Sequence, residues 1–441
     1  MRRPLYMNIA DEISADISAG ILTEGEQLPS YRQFAYTRGI ASSTASRVYD
    51  ELVRRGLVLG KIGRGSFVRN AEARNRTALI EPVTVPVDLE HNYSIRPHHK
   101  KIISQTLSDL GESTAFGDSL TPLGAAGWKN SQKTASRFLQ TTIWKPESKR
   151  ILFSGNGRQA IIATLSAITK PGDRIGVEPV TYPVFIGIAQ KLGLVLIPIA
   201  MDSEGIVPTS LVQAYEKHGL QVLYIQPTLQ SPTAVTMTPG RRASIADIIR
   251  KLNLPTLEDA VYRFLAKEPP LCSLAPEQVI YIDSLSKSIA PGLALGMIYS
   301  PDNYYQKIKT SLQYGAWTAP GLLLALGTEW MKSSDFKKII VEKQTDALFR
   351  QKIARKIFSD FNIFGDLRAY HLWLPLPDNI KCEFFSNHML KMGIAVTAGN
   401  EFSSINGISP HFIRLSLASP DQHTLITSLK IIHDQLITLA N

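Results

Sequence analysis

Cysteine is scarce in this chain, since only Cys272 and Cys382 occur among 441 residues. Two cysteines this far apart form neither a disulfide framework nor a CxxC zinc pattern. The composition therefore excludes disulfide-stabilised secreted scaffolds and favours a reducing compartment. We expect no bound metal.

Long apolar runs are also missing. No run reaches the roughly 18 residues that can span a bilayer. The N-terminal MRRPLYMNIADEISADI lacks the continuous apolar segment of a signal peptide. We therefore expect a cytoplasmic protein with no membrane partner.

Basic residues outnumber acidic ones by 48 to 38, which gives a net charge of +10. Residues 40–76 hold eight Lys and Arg but only three Asp and Glu, about half of the excess. A local basic face of this kind permits nucleic-acid binding without requiring it. The length of the chain predicts two or three domains.

Residues 1–70 predict three helices followed by a hairpin. Isoleucines spaced by four over residues 9–17 indicate an amphipathic helix. Ser30 with Gln33 forms a capping-box pattern at the start of a second helix, which we expect to end at Gly39. TASRVYDELVRRG predicts a third helix, and VLGKIGRGSFV predicts a basic hairpin.

Such a third helix fits the major groove of DNA, and a basic hairpin reaches the flanking groove. Periodicity alone allows a small helical module that binds protein equally well. Residues 20–68, however, closely resemble the GntR-type winged helix-turn-helix, which implies a DNA-binding domain over 1–70. Where the family usually has arginine at the start of the third helix, this chain has Ser42. The DNA contacts that the resemblance implies are Arg32, Ser42, Ser43, Thr44, Arg47, Lys61, Arg64 and Gly65.

Residues 71–90 lose helical periodicity and contain Pro82 and Pro86, which predicts a partly extended linker. Residues 91–441 alternate short apolar runs such as RILFSG, RIGVEP and QVLYIQP with helical stretches. This alternation is typical of an α/β sheet with crossover helices. In such a sheet the functional site lies in the loops after the strands.

Three motifs after predicted strands carry groups suited to an aldehyde with a phosphate. The turn at residues 154–160 opens a helix and offers backbone N–H groups to a phosphate. Lys287 follows two serines and could hold the aldehyde as a Schiff base. Asp259 and Tyr262 could serve a pyridinium nitrogen and the ring oxygen. Taken singly, the lysine also fits a surface residue, and the aspartate a helix cap.

The order of these motifs, behind a winged helix, resembles that of MocR-type regulators of the GntR family. The resemblance implies an α/β fold with a fold-type I aminotransferase-like domain over 91–441 and pyridoxal 5'-phosphate (PLP) as cofactor. Lys287 would form the internal aldimine, Asp259 would pair with the pyridine nitrogen, and Arg414 would receive an effector carboxylate. The other implied cofactor contacts are Tyr182 against the ring, Tyr262 and Gln230 at the 3'-oxygen, and Ser284, Ser286, Gly155, Asn156 and Gly157 at the phosphate.

Two departures from the family pattern concern this large domain. The family motif Pro-Gly-Leu-Arg-Leu-Gly contains an arginine that clamps the phosphate, and this chain has Ala294 at that position. The family also has Leu-Arg near the start of the large domain, where this chain has Ser131-Gln132. Loss of a charge-assisted contact costs about 1.5–3 kcal/mol, or about ten- to a hundredfold in affinity. We therefore expect PLP to bind more weakly and reversibly than in a catalytic aminotransferase.

The sequence thus predicts a DNA-binding transcription regulator with PLP as effector, controlling vitamin B6 metabolism. A second hypothesis fixes PLP in place and makes an amino acid the signal, captured at Arg414 as an external aldimine. A third is an aminotransferase with a DNA-binding appendage, although Ala294 argues against efficient turnover. A fourth is a dimerisation scaffold without PLP. Two half-sites in a double-stranded operator, and a fold-type I site, both imply a head-to-tail homodimer.

Overall fold

The computed structural model describes residues 5–18, 21–23, 25–54, 57–61, 65–68, 85–405 and 410–440. The chain divides into two compact units. The smaller comprises Met1–Pro82 with Ile405–Ser409, and the larger comprises Val83–Ser404 with Pro410–Asn441. The larger unit is a mixed α/β fold, as the sequence predicts.

Helices and a small antiparallel sheet form the smaller unit. Its elements are α1 (Leu5–Ser18), β1 (Gln27–Leu28), α2 (Tyr31–Arg38), α3 (Ser42–Arg54), β2 (Val58–Lys61) and β3 (Gly65–Val68). Strand β3 lies between β1 and β2. The described part therefore contains the predicted three helices and paired hairpin strands, while residues 62–64 at the tip lie outside the described residues.

Local signals set the ends of α2. The Ser30 side chain accepts a hydrogen bond from the Gln33 backbone N–H at 3.3 Å. Gly39 ends the helix in the left-handed region at φ 61°, where glycine has no steric penalty. The Ser30 half of the predicted capping box and the helix end at Gly39 are confirmed.

One apolar core holds the three helices together. The Tyr49 hydroxyl also donates to the Pro29 carbonyl at 2.6 Å, which ties α3 to the segment before α2. Because the apolar residues of α3 all face this core, the opposite face of the helix stays in solvent. The fully or nearly buried residues contributed by α1 and α3 are Ile9, Ala10, Ile13, Ala45, Val48, Tyr49 and Leu52.

A seven-stranded sheet forms the centre of the larger unit. Its order is β5-β13-β12-β11-β10-β6-β7, and β13 alone runs antiparallel to its neighbours. The strands of the larger unit are β4 (Val87–Asp88), β5 (Ile151–Ser154), β6 (Arg174–Val177), β7 (Val195–Pro198), β8 (Met201–Asp202), β9 (Gly205–Ile206), β10 (Val222–Ile225), β11 (Thr256–Asp259), β12 (Val279–Ser284), β13 (Gly296–Tyr299), β14 (His371–Pro375), β15 (Ile394–Ala395), β16 (Thr397–Ala398) and β17 (Phe412–Ser416).

Helices pack on both faces of this sheet. Leu152 and Ile280 belong to one apolar cluster, whereas the next residues, Phe153 and Tyr281, belong to another, since successive strand residues point to opposite faces. Among the described helices, none is long and apolar enough to cross a membrane. The helices of this unit are Pro97–Gly111, Thr114–Ser119, Lys129–Leu139, Gly157–Ile168, Pro183–Lys191, Pro208–His218, Pro239–Lys251, Leu285–Ser288, Asp302–Tyr314, Gly321–Lys332, Ser334–Ile357, Cys382–Lys391 and Gln422–Ala440.

A smaller antiparallel sheet, β14-β17-β16, carries the C-terminal part of the larger unit. Beside it, β4 pairs in parallel with β15. Val87 and Asp88 fall within the predicted linker 71–90, but this backbone pairing places them in the larger unit. Residues 69–84 lie outside the described residues, so the linker before residue 85 and the predicted domain limits stay predictions.

Candidate functional site

Three strands of the large sheet run in the same direction and end at one edge. β5 ends at Ser154, β11 at Asp259 and β12 at Ser284. The register sets Ser154 and Ser284 on either side of Gly296 in β13. Side chains that follow these strands are therefore brought together at this edge, where ligands bind in open α/β sheets.

Lys287 follows β12 in the short helix Leu285–Ser288. Its Nζ donates to the Asn92 carbonyl oxygen at 3.2 Å. The same atom lies 4.9 Å from the ring centre of Tyr93 and 5.9 Å from that of Tyr262. In the described part of the chain, no carboxylate forms an ion pair with this amine.

The environment of Lys287 lowers the pKa of its amine to about 7. Desolvation of the amine is the largest cause, followed by the positive charges of Arg414 and Arg158. A substantial fraction of the amine is therefore neutral at neutral pH. The neutral amine is the form that attacks an aldehyde.

The attachment of PLP to Lys287 is expected to accelerate as the pH rises through about 7 and then to level off. The reason is that the lowered pKa makes the amine neutral above this pH, whereas an ordinary lysine stays protonated to about 10. Stopped-flow absorbance of protein mixed with PLP measures this rate. Nα-acetyl-lysine is the control, because its rate keeps rising at higher pH. A protein profile that follows the free amine would contradict the expectation.

The carboxylate of Asp259 is buried and held by two side-chain donors. The Tyr224 hydroxyl donates to its Oδ2 at 2.6 Å, and the Gln226 amide donates to the same oxygen at 3.0 Å. Burial raises the pKa of Asp259, and hydrogen bonds together with the charge of Lys287 oppose that rise. An oriented carboxylate of this kind suits a protonated ring nitrogen.

Asn92, and not the predicted Gln230, is the hydrogen-bond partner of the Tyr262 side chain among the described residues, while the predicted contact of Gln230 with the ring oxygen stays a prediction. The Asn92 amide donates to the Tyr262 hydroxyl at 3.1 Å. Gln230 instead donates to the Val180 carbonyl at 2.7 Å, in the segment after β6, and its side-chain oxygen accepts from Thr233 in its own turn. Asn92 lies 170 residues before Tyr262 in no recognisable motif, and sequence reasoning therefore missed it.

The first turn of the helix Gly157–Ile168 meets the serines that precede Lys287. A Cβ atom on Gly157 would lie 3.3 Å from the Cβ of Ser284. The Ser284 and Ser286 hydroxyl oxygens are 2.7 Å apart. We call Asn156, Gly157, Ser284 and Ser286 the phosphate cup, because the first N–H groups of a helix lack intrahelical acceptors and attract anions.

Gly155 differs from the expectation that its amide binds a phosphate. Its N–H donates to the Trp317 carbonyl at 3.1 Å. An isolated β-bridge between Ser154 and Thr318 holds this segment in place. The Gly155 N–H is therefore not available to a phosphate. Asn156 also uses its side chain internally, because it caps the helix by accepting from the Gln159 N–H at 2.9 Å.

Tyr182 and Arg414 lie near the same edge. The Tyr182 hydroxyl accepts a hydrogen bond from Arg158 Nε at 3.0 Å. Arg414 donates to the Glu90 carbonyl at 2.5 Å and to the Thr397 hydroxyl at 3.3 Å. Its buried Nε finds no partner among the described residues, which leaves a donor for a ligand oxygen.

A second buried lysine supports the segment that carries Lys287. Lys343 in the helix Ser334–Ile357 donates to the carbonyl oxygens of Lys287 at 3.3 Å and Ile289 at 2.9 Å. Burial lowers its pKa to about 7, assisted by the charge of Arg96. No sequence motif marks Lys343, because its partners are backbone atoms more than fifty residues away.

These residues fit PLP. The phosphate cup offers helix amides and hydroxyls, Asp259 suits the ring nitrogen, and the desolvated amine of Lys287 suits the aldehyde. The buried Nε of Arg414 has no partner among the described residues and would be a free donor for a ligand oxygen. When bound, PLP would supply an aldehyde and an electron-withdrawing ring.

The predicted DNA contacts of the smaller unit are mostly in solvent. The exposed positions are Arg32, Ser42, Ser43, Arg47 and Gly65, while Thr44 is half-buried. Lys61 lies at the end of β2, but its side chain is outside the described part, as is all of Arg64. Three of the exposed positions share the solvent face of α3.

Two family models match the chain. The model for bacterial regulatory proteins of the gntR family matches residues 5–68, and the model for aminotransferases of class I and II matches residues 114–432. Between them they span the smaller unit and the sheet that carries Lys287 and Asp259.

Relatives match the chain over nearly its whole length. It is 31% identical to the uncharacterized HTH-type transcriptional regulator YdeF of Bacillus subtilis, over 95% of this chain and 91% of that protein. It is 23% identical to the vitamin B6 salvage pathway transcriptional repressor PtsJ of Salmonella typhimurium, over 97% of both chains. The fold is similar to that of kynurenine aminotransferase from Pyrococcus horikoshii, with a TM-score of 0.75 and 20% identity over 85% of this chain and 96% of that one.

Proposed function

Because this chain belongs to the HTH-type transcriptional regulators that join a GntR domain to an aminotransferase class I and II domain, we propose that PLP bound at Lys287 controls its affinity for DNA. The observation that carries the proposal is the desolvated amine of Lys287, at one sheet edge with Asp259 and the phosphate cup. In this MocR-type arrangement the smaller unit reads double-stranded DNA. A regulator that binds DNA would act in the cytoplasm.

The positions of the cofactor residues support the following proposed roles. Ser284, Ser286 and the first amides of the Gly157 helix would bind the phosphate, and Asp259 would keep the ring nitrogen protonated. Tyr262, held by Asn92, would donate to the ring oxygen. PLP would be the effector, and Ala294 favours its release because no arginine clamps the phosphate from that position.

Control of vitamin B6 metabolism is the target that we propose. PtsJ, which matches the chain over 97% of its length, is named as a repressor of the vitamin B6 salvage pathway. A regulator that binds PLP directly would couple the concentration of the end product to transcription. Binding of PLP would activate or repress transcription, depending on whether PLP favours the DNA-bound or the DNA-free form of the protein.

A second candidate function makes an amino acid the signal. The buried Nε of Arg414 has no partner among the described residues. A guanidinium with an unused donor near Lys287 suits the carboxylate of an amino acid. In this case PLP would stay bound and the amino acid would shift the affinity for DNA.

We also propose a head-to-tail homodimer. Recognition of two DNA half-sites favours a twofold protein. Four exposed apolar side chains lie within residues 95–120 of the larger unit, and exposed apolar residues that form a patch mark interaction sites. The exposed residues are Ile95, Leu107, Phe116 and Leu120.

The proposal is tested by selecting fragments from a random double-stranded DNA library with the full-length protein, with and without PLP. The affinity for the selected fragments is then measured by fluorescence anisotropy. We expect PLP to change the dissociation constant by about tenfold or more, which corresponds to an ordinary allosteric coupling. The variant Arg47→Ala, changed on the exposed face of α3, should lose DNA affinity but still bind PLP.

The possible outcomes separate the candidate functions. A change in DNA affinity with PLP alone supports PLP as the effector. A change that needs both PLP and an amino acid supports the second candidate. Identical DNA affinity and identical selected fragments in all conditions would rule out both.

A further inference from the structure

Arg158 is the second residue of the helix Gly157–Ile168 and follows the phosphate cup directly. Its side chain is exposed at the sheet edge. Its charge is one of the causes that lower the pKa of Lys287, and it opposes the rise that burial produces in the pKa of Tyr93. The guanidinium therefore acts on the groups that would surround the cofactor.

The hydrogen bonds of Arg158 leave most of its donors available. Its Nε donates to the Tyr182 hydroxyl at 3.0 Å. Among the described residues, no carboxylate pairs with this guanidinium, and its two terminal nitrogens make no hydrogen bond. A guanidinium has five N–H donors in a planar fork that matches a phosphate. Tyr182 fixes one donor and leaves the other four for an anion.

The segment that contains Ala294 borders the same cup. Gly296, two residues later, faces the turn before Arg158, since a Cβ on Gly296 would lie only 2.6 Å from the Asn156 carbonyl oxygen. Ala294 has no group that can contact a phosphate. The phosphate cup is therefore bordered by the uncharged Ala294 on the side of β13 and by the charged Arg158 on the helix.

We propose that Arg158 supplies the cationic phosphate contact that Ala294 cannot supply, and that it makes the site select phosphorylated over unphosphorylated pyridoxal. This inference rests on the proposed binding of PLP at Lys287. Arg158 donates through its terminal nitrogens to the phosphate while Nε stays on Tyr182. One side chain thus joins the phosphate cup to the aromatic residue expected against the ring.

An exposed guanidinium holds a phosphate less tightly than a buried clamp, because water competes for both partners. The contact through Arg158 therefore offsets only part of what Ala294 loses. Selectivity for the phosphorylated ligand is retained, and the ligand can still leave. Both properties suit a protein that responds to the concentration of PLP.

The test compares the binding of PLP and of pyridoxal, which lacks the phosphate, to the full-length protein. The absorbance change on attachment to Lys287 gives both dissociation constants. In Arg158→Ala we expect PLP to bind about ten- to a hundredfold more weakly, the loss typical of a charge-assisted contact. The affinity for pyridoxal should fall much less, since the lost contact is to the phosphate, and the loss of the Arg158 charge near the Lys287 amine acts equally on both ligands.

Three further variants sharpen this comparison. Arg174→Ala removes an exposed arginine at the start of β6 and should leave both affinities unchanged. Tyr182→Phe removes the partner of Arg158 but not its charge, and should keep the preference for PLP over pyridoxal. Adding Ala294→Arg to Arg158→Ala should restore most of that preference.

Two results would overturn the role of Arg158 while leaving the proposed function intact. One is an unchanged affinity of Arg158→Ala for PLP. The other is an equal loss for PLP and pyridoxal, which would mean that Arg158 acts on the ring through Tyr182 or on the Lys287 amine through its charge. If the unmodified protein attaches neither ligand, the proposed function fails together with this inference.

Discussion

Replacing Lys287 with alanine is expected to abolish the covalent attachment of PLP and, with it, the response of DNA binding to PLP. The affinity of the PLP-free protein for DNA should not change, because the predicted DNA contacts lie in the smaller unit. Among the described residues at the sheet edge, the other buried lysine, Lys343, donates to two backbone carbonyls and is not expected to replace Lys287.

Borohydride reduction followed by peptide mass analysis measures this attachment. Lys337→Ala is the matched control, since Lys337 is an exposed lysine of the larger unit and its loss should leave the reduced adduct in place. The melting temperature of each variant shows whether it is folded. A reduced adduct that persists in Lys287→Ala would place PLP on another lysine. Persistence of the DNA response without any adduct would show that non-covalent PLP is sufficient.

Replacing Arg242 with alanine is expected to destabilise the larger unit by about 3 kcal/mol or more, the range for breaking a buried charged network. Arg242 is fully buried in the helix Pro239–Lys251. Its loss would take a hydrogen-bond donor from several acceptors in the interior. These acceptors are the carbonyl oxygens of Met237, Pro227 and Pro269, at 3.1, 2.7 and 3.0 Å, and the hydroxyl of Thr228, at 2.7 Å.

Thermal unfolding followed by circular dichroism and by PLP absorbance measures this effect. Arg250→Ala is the control on the same helix, and a change within about 0.5 kcal/mol is expected because its side chain is exposed. We also expect weaker PLP binding in Arg242→Ala, since Pro227 and Thr228 lie in the turn that leads to Gln230. Equal unfolding temperatures for the two variants would show that the buried network adds nothing to stability.

Local signals in the sequence were sufficient where a residue acts on its own neighbourhood. Ser30 caps a helix three residues away and Gly39 ends it, so both can be identified from spacing and from backbone preference. The strand ends that carry Asp259 and Lys287 were identified in the same way, because apolar runs followed by polar residues mark the edge of a buried sheet. The predicted roles of these two residues remain to be tested.

Residues that act through tertiary contacts could not be found from spacing. Asn92 reaches Tyr262 across 170 residues. The Gly155 N–H donates to the carbonyl of Trp317, far along the chain, although the glycine itself fits a phosphate-binding turn. In each case the partner is brought in by the packing of separate elements, and nothing in the local pattern distinguishes the two outcomes.

The two buried lysines also tie the folding equilibrium to protons. Lys287 and Lys343 each have a pKa near 7 in the folded chain, below the value of 10.5 for a free lysine. Between these two pKa values unfolding takes up protons, because the amines are neutral in the folded chain and protonated in the unfolded chain. The two amines therefore lower the free energy of unfolding most below about pH 7, and this effect diminishes as the pH rises. Attachment of an aldehyde at Lys287 removes one of the two titrating amines. The number of protons taken up on unfolding would then differ between the protein with the ligand attached and the protein without it.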